Sequence, residues 1–163
     1  KGLEALIGGP TIRNAVNDAL DLSDTIAKGL EVSEAYLRGY ADADLLARRG
    51  RDEAAARAFE AFAAGAPRGP LAARALMAVA ELKSGLGRWA EAAAVCRRVA
   101  REYRESAMAP EARMRAAVLF EERLGQFQEA VRDYEALMAD YPGSPQVEEA
   151  RQRLRRLQAR IRG

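Results

Sequence analysis

The sequence of 163 residues contains no histidine, one cysteine and two threonines, and its other β-branched residues are only 8 Val and 4 Ile. The lack of histidine excludes Ser-His-Asp and Cys-His catalysis and metal sites built on imidazole ligands. The single cysteine, Cys96, excludes a disulfide within the chain. Strand-forming residues are therefore scarce, whereas Ala, Leu and Arg, which favour helices, number 36, 17 and 23. These proportions predict an all-α protein.

The charge is almost balanced, with 26 basic and 24 acidic side chains, so the chain as a whole produces no strong long-range field. No apolar run approaches the roughly 18 residues that a membrane-spanning helix needs. The chain begins with Lys1-Gly2 instead of methionine, and we therefore expect a processed or truncated product. A lone cysteine leaves the compartment open, so the cytoplasm is one of the localisations that composition allows.

A repeat of about 38 residues runs through the second half of the chain. The matched positions, all 38 residues apart, are Leu86–Ala92 (LGRWAEA) with Leu124–Ala130 (LGQFQEA), Tyr103 with Tyr141, and Ser106 with Ser144. A weaker copy lies upstream, where Gly50, Ala55 and Phe59 stand 37 residues before Gly87, Ala92 and Cys96. Fixed-period similarity of this kind indicates a repeat architecture.

Each copy of the repeat predicts two helices, because apolar residues recur at spacings of three and four on both sides of a glycine. Gly87 and Gly125 supply the break at which the chain turns back. Gly69-Pro70 and Ser144-Pro145 each place a capping residue before a proline suited to the first helical position. A single two-helix unit cannot bury both of its apolar faces, so we expect the units to stack as a solenoid.

The predicted organisation is a series of about three helical hairpins followed by a capping helix. The hairpins are residues 33–68, 69–105 and 106–143, and the capping helix is residues 144–163. Residues 1–32 do not fit the repeat. Gly8-Gly9-Pro10 indicates a loop, and the following residues indicate a helix that either caps the solenoid or links it to a missing upstream region.

The order of Gly, aromatic, Glu, Ala, aromatic and Tyr-Pro over residues 125–142 resembles the tetratricopeptide (TPR) repeat. The resemblance covers roughly residues 33–145 and implies a right-handed α-solenoid whose first helices line a concave groove for a partner's peptide or helix. The ending Tyr141–Pro145 and the period above about 34 residues resemble bacterial envelope members of the family, such as the lipoprotein of the outer-membrane barrel-assembly machinery and the Tol–Pal cell-division coordinator. This resemblance favours a bacterial periplasm or cell envelope.

Carried onto this chain, the resemblance implies a column of groove residues on the first helix of each hairpin. The column is Leu37, Tyr40, Asp44, Arg74, Met77, Glu81, Ala112, Arg115, Leu119 and Glu122. Half of these residues are apolar and two are arginines, which suits an amphipathic or acidic partner helix. We expect Leu37, Tyr40, Met77 and Leu119 to form an exposed apolar strip that anchors the partner, as exposed apolar patches often do.

The function that these features predict is a non-enzymatic scaffold or assembly subunit that binds protein partners, or further copies of itself, without a cofactor or a metal ion. Cys96 takes the position that Phe59 and Tyr134 hold in the sister repeats, and we expect it to be a buried, unreactive core thiol. The neighbouring acids Glu121 and Glu122 point in different directions on a helix and are expected to be solvated, not metal ligands, and the same holds for Asp42-x-Asp44.

An alternative function rests on the arginine-rich C-terminal helix. Residues 151–162 contain six arginines and no acid, a composition that could bind nucleic acid or another anionic surface. No aromatic residue accompanies these arginines to stack on bases, and cations at a helix C-terminus are also expected of a capping helix.

Gly85-Leu86-Gly87 lacks the third glycine and the Gly-Lys-Ser/Thr of phosphate-binding loops, so we expect an ordinary turn there.

Overall fold

The computed structural model describes residues 34–162, and these form seven helices and no strand. In chain order the helices are α1 (34–48), α2 (Asp52–Gly65), α3 (Pro70–Gly85), α4 (Trp89–Glu102), α5 (Met108–Glu122), α6 (Phe127–Asp140) and α7 (Val147–Arg162). The all-α prediction is confirmed. The predicted loop and helix within residues 1–32 lie outside the described residues.

The chain divides into two compact units, Lys1–Arg38 and Gly39–Gly163. Of the first unit the structure describes residues 34–38, which are helical, with the Arg38 guanidinium 2.7 Å from the Glu34 carboxylate. The second unit contains the hairpins, and from α2 to α7 each of its helices packs against the next. Helices α3 and α5 also contact each other, as the first helices of successive hairpins do in a solenoid.

Three glycines form the turns inside the hairpins. Gly50, Gly87 and Gly125 have φ angles of 69°, 74° and 63°, and no other described residue has a positive φ. L-residues with a Cβ avoid this left-handed conformation, so each turn requires glycine. The prediction that Gly87 and Gly125 form inter-helix turns is confirmed, and Gly50 joins them.

Small residues allow the two helices of each hairpin to approach closely. Ala55, Ala92 and Ala130, one in each second helix, are fully buried. The core around them forms two clusters, whose largest buried side chains include Phe59, Leu76 and Val99 in the first and Tyr134, Leu137 and Leu157 in the second.

The helix starts follow the sequence prediction at one site and differ from it at another. Gly69 precedes α3, with Pro70 as the first helical residue, as expected. Helix α7 begins at Val147, so the prediction that Pro145 is its first residue is wrong. The backbone N–H of Val147 donates to the Ser144 carbonyl at 3.1 Å, which closes a turn before the helix starts. The Ser144 hydroxyl accepts the Gln146 N–H at 3.3 Å and satisfies one of the free donors of that turn.

A buried carboxylate connects the second and third hairpins. Asp133 of α6 is only 2% exposed, and its oxygens lie 2.8 Å from Arg97 of α4 and 3.2 Å from Arg113 of α5. Burial raises the pKa of Asp133 above its ordinary value, and the two arginines offset part of that rise. Since the three partners come from three helices, these ion pairs fix how successive hairpins pack.

Candidate functional site

A cavity of about 480 Å³ opens between α1, α3 and α5 in the second unit. Six residues of the predicted groove line it, namely Tyr40, Asp44, Arg74, Met77, Glu81 and Arg115. They come together because α1, α3 and α5 are the first helices of successive hairpins and share one side of the stack. We call this side, with the residues that line its cavities, the A face.

The base of this first cavity belongs to the core. The Tyr40 ring packs edge-on against Phe59 and Phe62, with ring centroids 5.2 and 5.5 Å apart. Met77 is only 6% exposed and is part of the first core cluster. The expectation that Tyr40 and Met77 form an exposed strip outside the core is therefore wrong, because both side chains also fill the space between the helices.

A second cavity of about 390 Å³ lies beside the first, between α3 and α5. Its lining includes Cys96 of α4, Glu149 of α7 and the predicted groove residue Leu119 of α5. Glu81 and Arg115 line both cavities. The A face of the second unit thus has two neighbouring depressions with a shared border.

That border is an ion-paired bridge. The Arg115 guanidinium lies 2.6 Å from the Glu81 carboxylate and 2.7 Å from that of Glu111. Although burial lowers the pKa of Arg115, the hydrogen bonds and charges of the two glutamates outweigh it and raise the pKa above its ordinary value. The positive charge of Arg115 is therefore already balanced by two carboxylates, and it gives no support to the expected preference for an acidic partner. Arg74 is exposed and has no ion pair among the described residues.

The other predicted groove residues lie elsewhere. Leu37 belongs to the first unit and is 57% exposed. Ala112 is fully buried in the first core cluster and lines neither cavity, because its side of α5 faces the neighbouring helices. Glu122 lies 2.8 Å from Arg153 of α7. The structure therefore brings seven of the ten predicted residues to the two cavities, and their role in binding remains a prediction.

Sequence reasoning missed several cavity residues, including the apolar wall of the second cavity and the acids at the rims. These are Asp52, Ala80, Glu111, Met114, Val118 and Glu149. One signal was present, because Glu111 and Glu149 are 38 residues apart and occupy equivalent repeat positions. The others face the cavities through helix rotation, which the repeat pattern alone does not specify to one residue.

The thiol of Cys96 is protonated and enclosed. It is 1% exposed, and burial raises its pKa to about 12. The prediction that Cys96 is buried is confirmed. Since a thiolate is the reactive form, this thiol is a poor nucleophile at neutral pH. Within the described residues, no three acidic or cysteine side chains are grouped closely enough to hold a metal ion.

Three of the six arginines of α7 make contacts within the chain. Arg151 pairs with Glu148, Arg153 pairs with acids of α5 and α7, and the Arg160 guanidinium lies 4.6 Å from the centre of the Phe127 ring. The apolar side of α7, which includes Leu154 and Leu157, is buried in the second core cluster. This arrangement is typical of a helix that covers the end of a solenoid.

Comparison with known families tests the resemblance of the repeats. Residues 74–106 and 111–144 each match the family model of the tetratricopeptide repeat. These two stretches are similar to tetratricopeptide repeats. The two matches coincide with the α3–α4 and α5–α6 hairpins. A search of curated proteins found no match to the chain.

Tetratricopeptide repeats are generally protein–protein interaction modules, and proteins built from them are typically scaffolds without catalytic activity. Their stacked hairpins form extended concave surfaces for binding. None of the helices in residues 34–162 combines the length and the apolar character that crossing a bilayer requires.

Proposed function

We propose that the A face of the second unit binds a segment of a partner protein and that the chain acts as a non-enzymatic scaffold or assembly subunit. The observation that supports this most directly is the pair of adjacent cavities, which share Glu81 and Arg115 and lie on the face formed by the first helices of the repeats. The resemblance of Tyr141–Pro145 to bacterial envelope members supports a partner in a cell-envelope complex.

The chemistry of the face suits a peptide or helix. The bases of the cavities are apolar, with Phe59 under the first and Cys96 under the second, while ionised side chains stand at the rims. Binding energy in protein interfaces concentrates in apolar anchors that are surrounded by a polar border. Two neighbouring anchor sites with charged rims provide this arrangement for one continuous segment.

Site-specific crosslinking in the native cells tests the proposal. A photo-crosslinking residue, p-benzoylphenylalanine, replaces Arg74, which is exposed and lines the first cavity. The matched control replaces Arg132, an exposed arginine of α6 that lies outside both cavities. We expect irradiation to link a specific protein to position 74 and not to position 132. Equal crosslinking at both positions, or none at position 74, would contradict binding at the A face.

A further inference from the structure

The second cavity is the first cavity displaced by one repeat. Six pairs of lining residues are separated by 37 or 38 positions: Asp44 and Glu81, Ala47 and Ser84, Phe59 and Cys96, Met77 and Arg115, Glu81 and Leu119, and Glu111 and Glu149. The two cavities therefore differ in the residues that occupy equivalent repeat positions.

One difference is the residue at the base of the cavity. Phe59 and Tyr134, in the first and third hairpins, fill this position with buried aromatic side chains. The second hairpin has Cys96 there, and no aromatic side chain lines its cavity. The wall of the cavity beside Cys96 is apolar and includes Met114, Val118 and Leu119. A space of this kind favours a large apolar side chain, because the transfer of apolar surface from water into apolar surroundings is favourable.

The charges that line the two cavities are unequal in number. Five carboxylates line them, from Asp44, Asp52, Glu81, Glu111 and Glu149, but only two guanidinium groups, from Arg74 and Arg115. The three glutamates among them keep 43% or more of their side chains exposed. The A face therefore has an excess of accessible negative charge, although the whole chain has a net charge of +2.

The chain's own N-terminal segment lacks the complementary charge. Residues 1–33 contain five acidic and three basic side chains. Complementary potentials across an interface guide encounter and select partners, whereas like charges disfavour them. The acidic A face therefore favours a basic segment from another protein over residues 1–33 of the same chain.

We propose, on the basis of the proposed function above, that the partner segment is basic and inserts one large apolar side chain into the cavity above Cys96. Lysine or arginine side chains that flank this apolar side chain meet Glu81 and Glu149 at the rim.

Selection from a random 12-residue peptide library displayed on phage, with the full chain as target, tests this proposal. We expect the selected peptides to share a large apolar residue flanked by Lys or Arg. Replacement of that residue by Ala in a synthetic peptide should weaken binding by about 10- to 100-fold, the effect of losing an interface anchor. Binding should also weaken as salt increases, because the basic flanks contribute through charge.

Variants of the chain locate the binding. Cys96→Phe restores the ring of the sister repeats and should abolish binding, while Ala94→Phe adds the same ring at an exposed position of α4 and should not. Leu119→Gln alters the cavity wall without adding volume to the core, so it provides the test if Cys96→Phe does not fold. Glu81→Gln should weaken the binding of the basic peptides. Glu135→Gln, which removes an exposed carboxylate outside both cavities, should leave that binding unchanged.

The outcomes separate this proposal from the proposed function. Selected peptides that are acidic, or that bind Cys96→Phe as well as the original chain, would overturn the basic, apolar partner while leaving the A face as a binding surface. Failure to select any peptide sensitive to these variants or to Arg74→Glu would count against the A face itself. Self-association in sedimentation velocity that Cys96→Phe abolishes would assign the cavity to a second copy of the chain and overturn the proposal.

Discussion

Replacement of Gly87 by alanine is expected to destabilise the second unit through the backbone alone. Gly87 has a φ of 74°, and a Cβ placed on it would meet no atom within 4 Å. The cost is therefore that of holding an L-residue in the left-handed conformation, about 1–2 kcal/mol. The turn depends on this conformation, because the N–H of Gly87 donates to the Ser84 carbonyl at 3.0 Å and that of Arg88 to the Lys83 carbonyl at 2.9 Å.

Gly85 provides a matched control two residues away. It is the last residue of α3, its φ is not positive, and a Cβ there would also meet no atom within 4 Å. Gly85→Ala should therefore be neutral or stabilising, by up to about 1 kcal/mol, because alanine loses less backbone freedom on entering a helix. The same chemical change is expected to have opposite signs at the two positions.

Urea unfolding followed by far-UV circular dichroism measures both variants against the original chain. We expect the free energy of unfolding to fall for Gly87→Ala and to stay level or rise for Gly85→Ala. Gly87→Asn should lie between Gly87→Ala and the original, because asparagine tolerates the left-handed region better than alanine. Equal effects at positions 85 and 87, or no loss for Gly87→Ala, would refute the argument from backbone conformation.

Two further predictions concern buried groups. Asp133→Ala should lower the free energy of unfolding by about 2–3 kcal/mol, because it leaves the largely buried Arg113 without its closest carboxylate. Asp140→Ala, at a partly exposed ion pair with Arg104, should cost less than about 1 kcal/mol in the same urea titration, and a loss as large as that of Asp133→Ala would contradict this reasoning. Cys96 should react with a thiol reagent at neutral pH only after denaturation, since the thiol is buried and its pKa is raised to about 12; fast labelling of the folded chain would contradict the enclosure of the thiol.

The prediction of the fold succeeded where the signal was local. The spacing of apolar residues predicted helices on both sides of Gly87, and α3 and α4 lie there. Gly87 and Gly125 indicated the turns because a left-handed residue has few alternatives to glycine. The start of α7 was predicted less well, since Ser144-Pro145 suits either the first turn of a helix or a turn before it, and backbone hydrogen bonds made the choice.

The prediction of the candidate site was less complete. A shift of one residue rotates a side chain by about 100° around a helix, so the repeat pattern assigned Ala112 to the groove although it is fully buried. Met77 was expected to be exposed, whereas it contributes to the core as well as to the first cavity. These positions depend on how closely neighbouring helices pack, which no single helix specifies.

The sequence by itself determined that the chain is helical, that its helices form repeated hairpins and where those hairpins turn, because propensity, periodicity and glycine conformation act within a few neighbouring residues. Only the tertiary structure decided the charge of the candidate site. Arg115 suggested an acidic partner in the sequence, but in the structure it is neutralised by Glu81 and Glu111 from two helices. Likewise, Cys96 lines a cavity only because α3 and α5 bring apolar side chains beside it. Net charge and empty volume are properties of groups brought together from distant positions, so they appear only when the repeats stack.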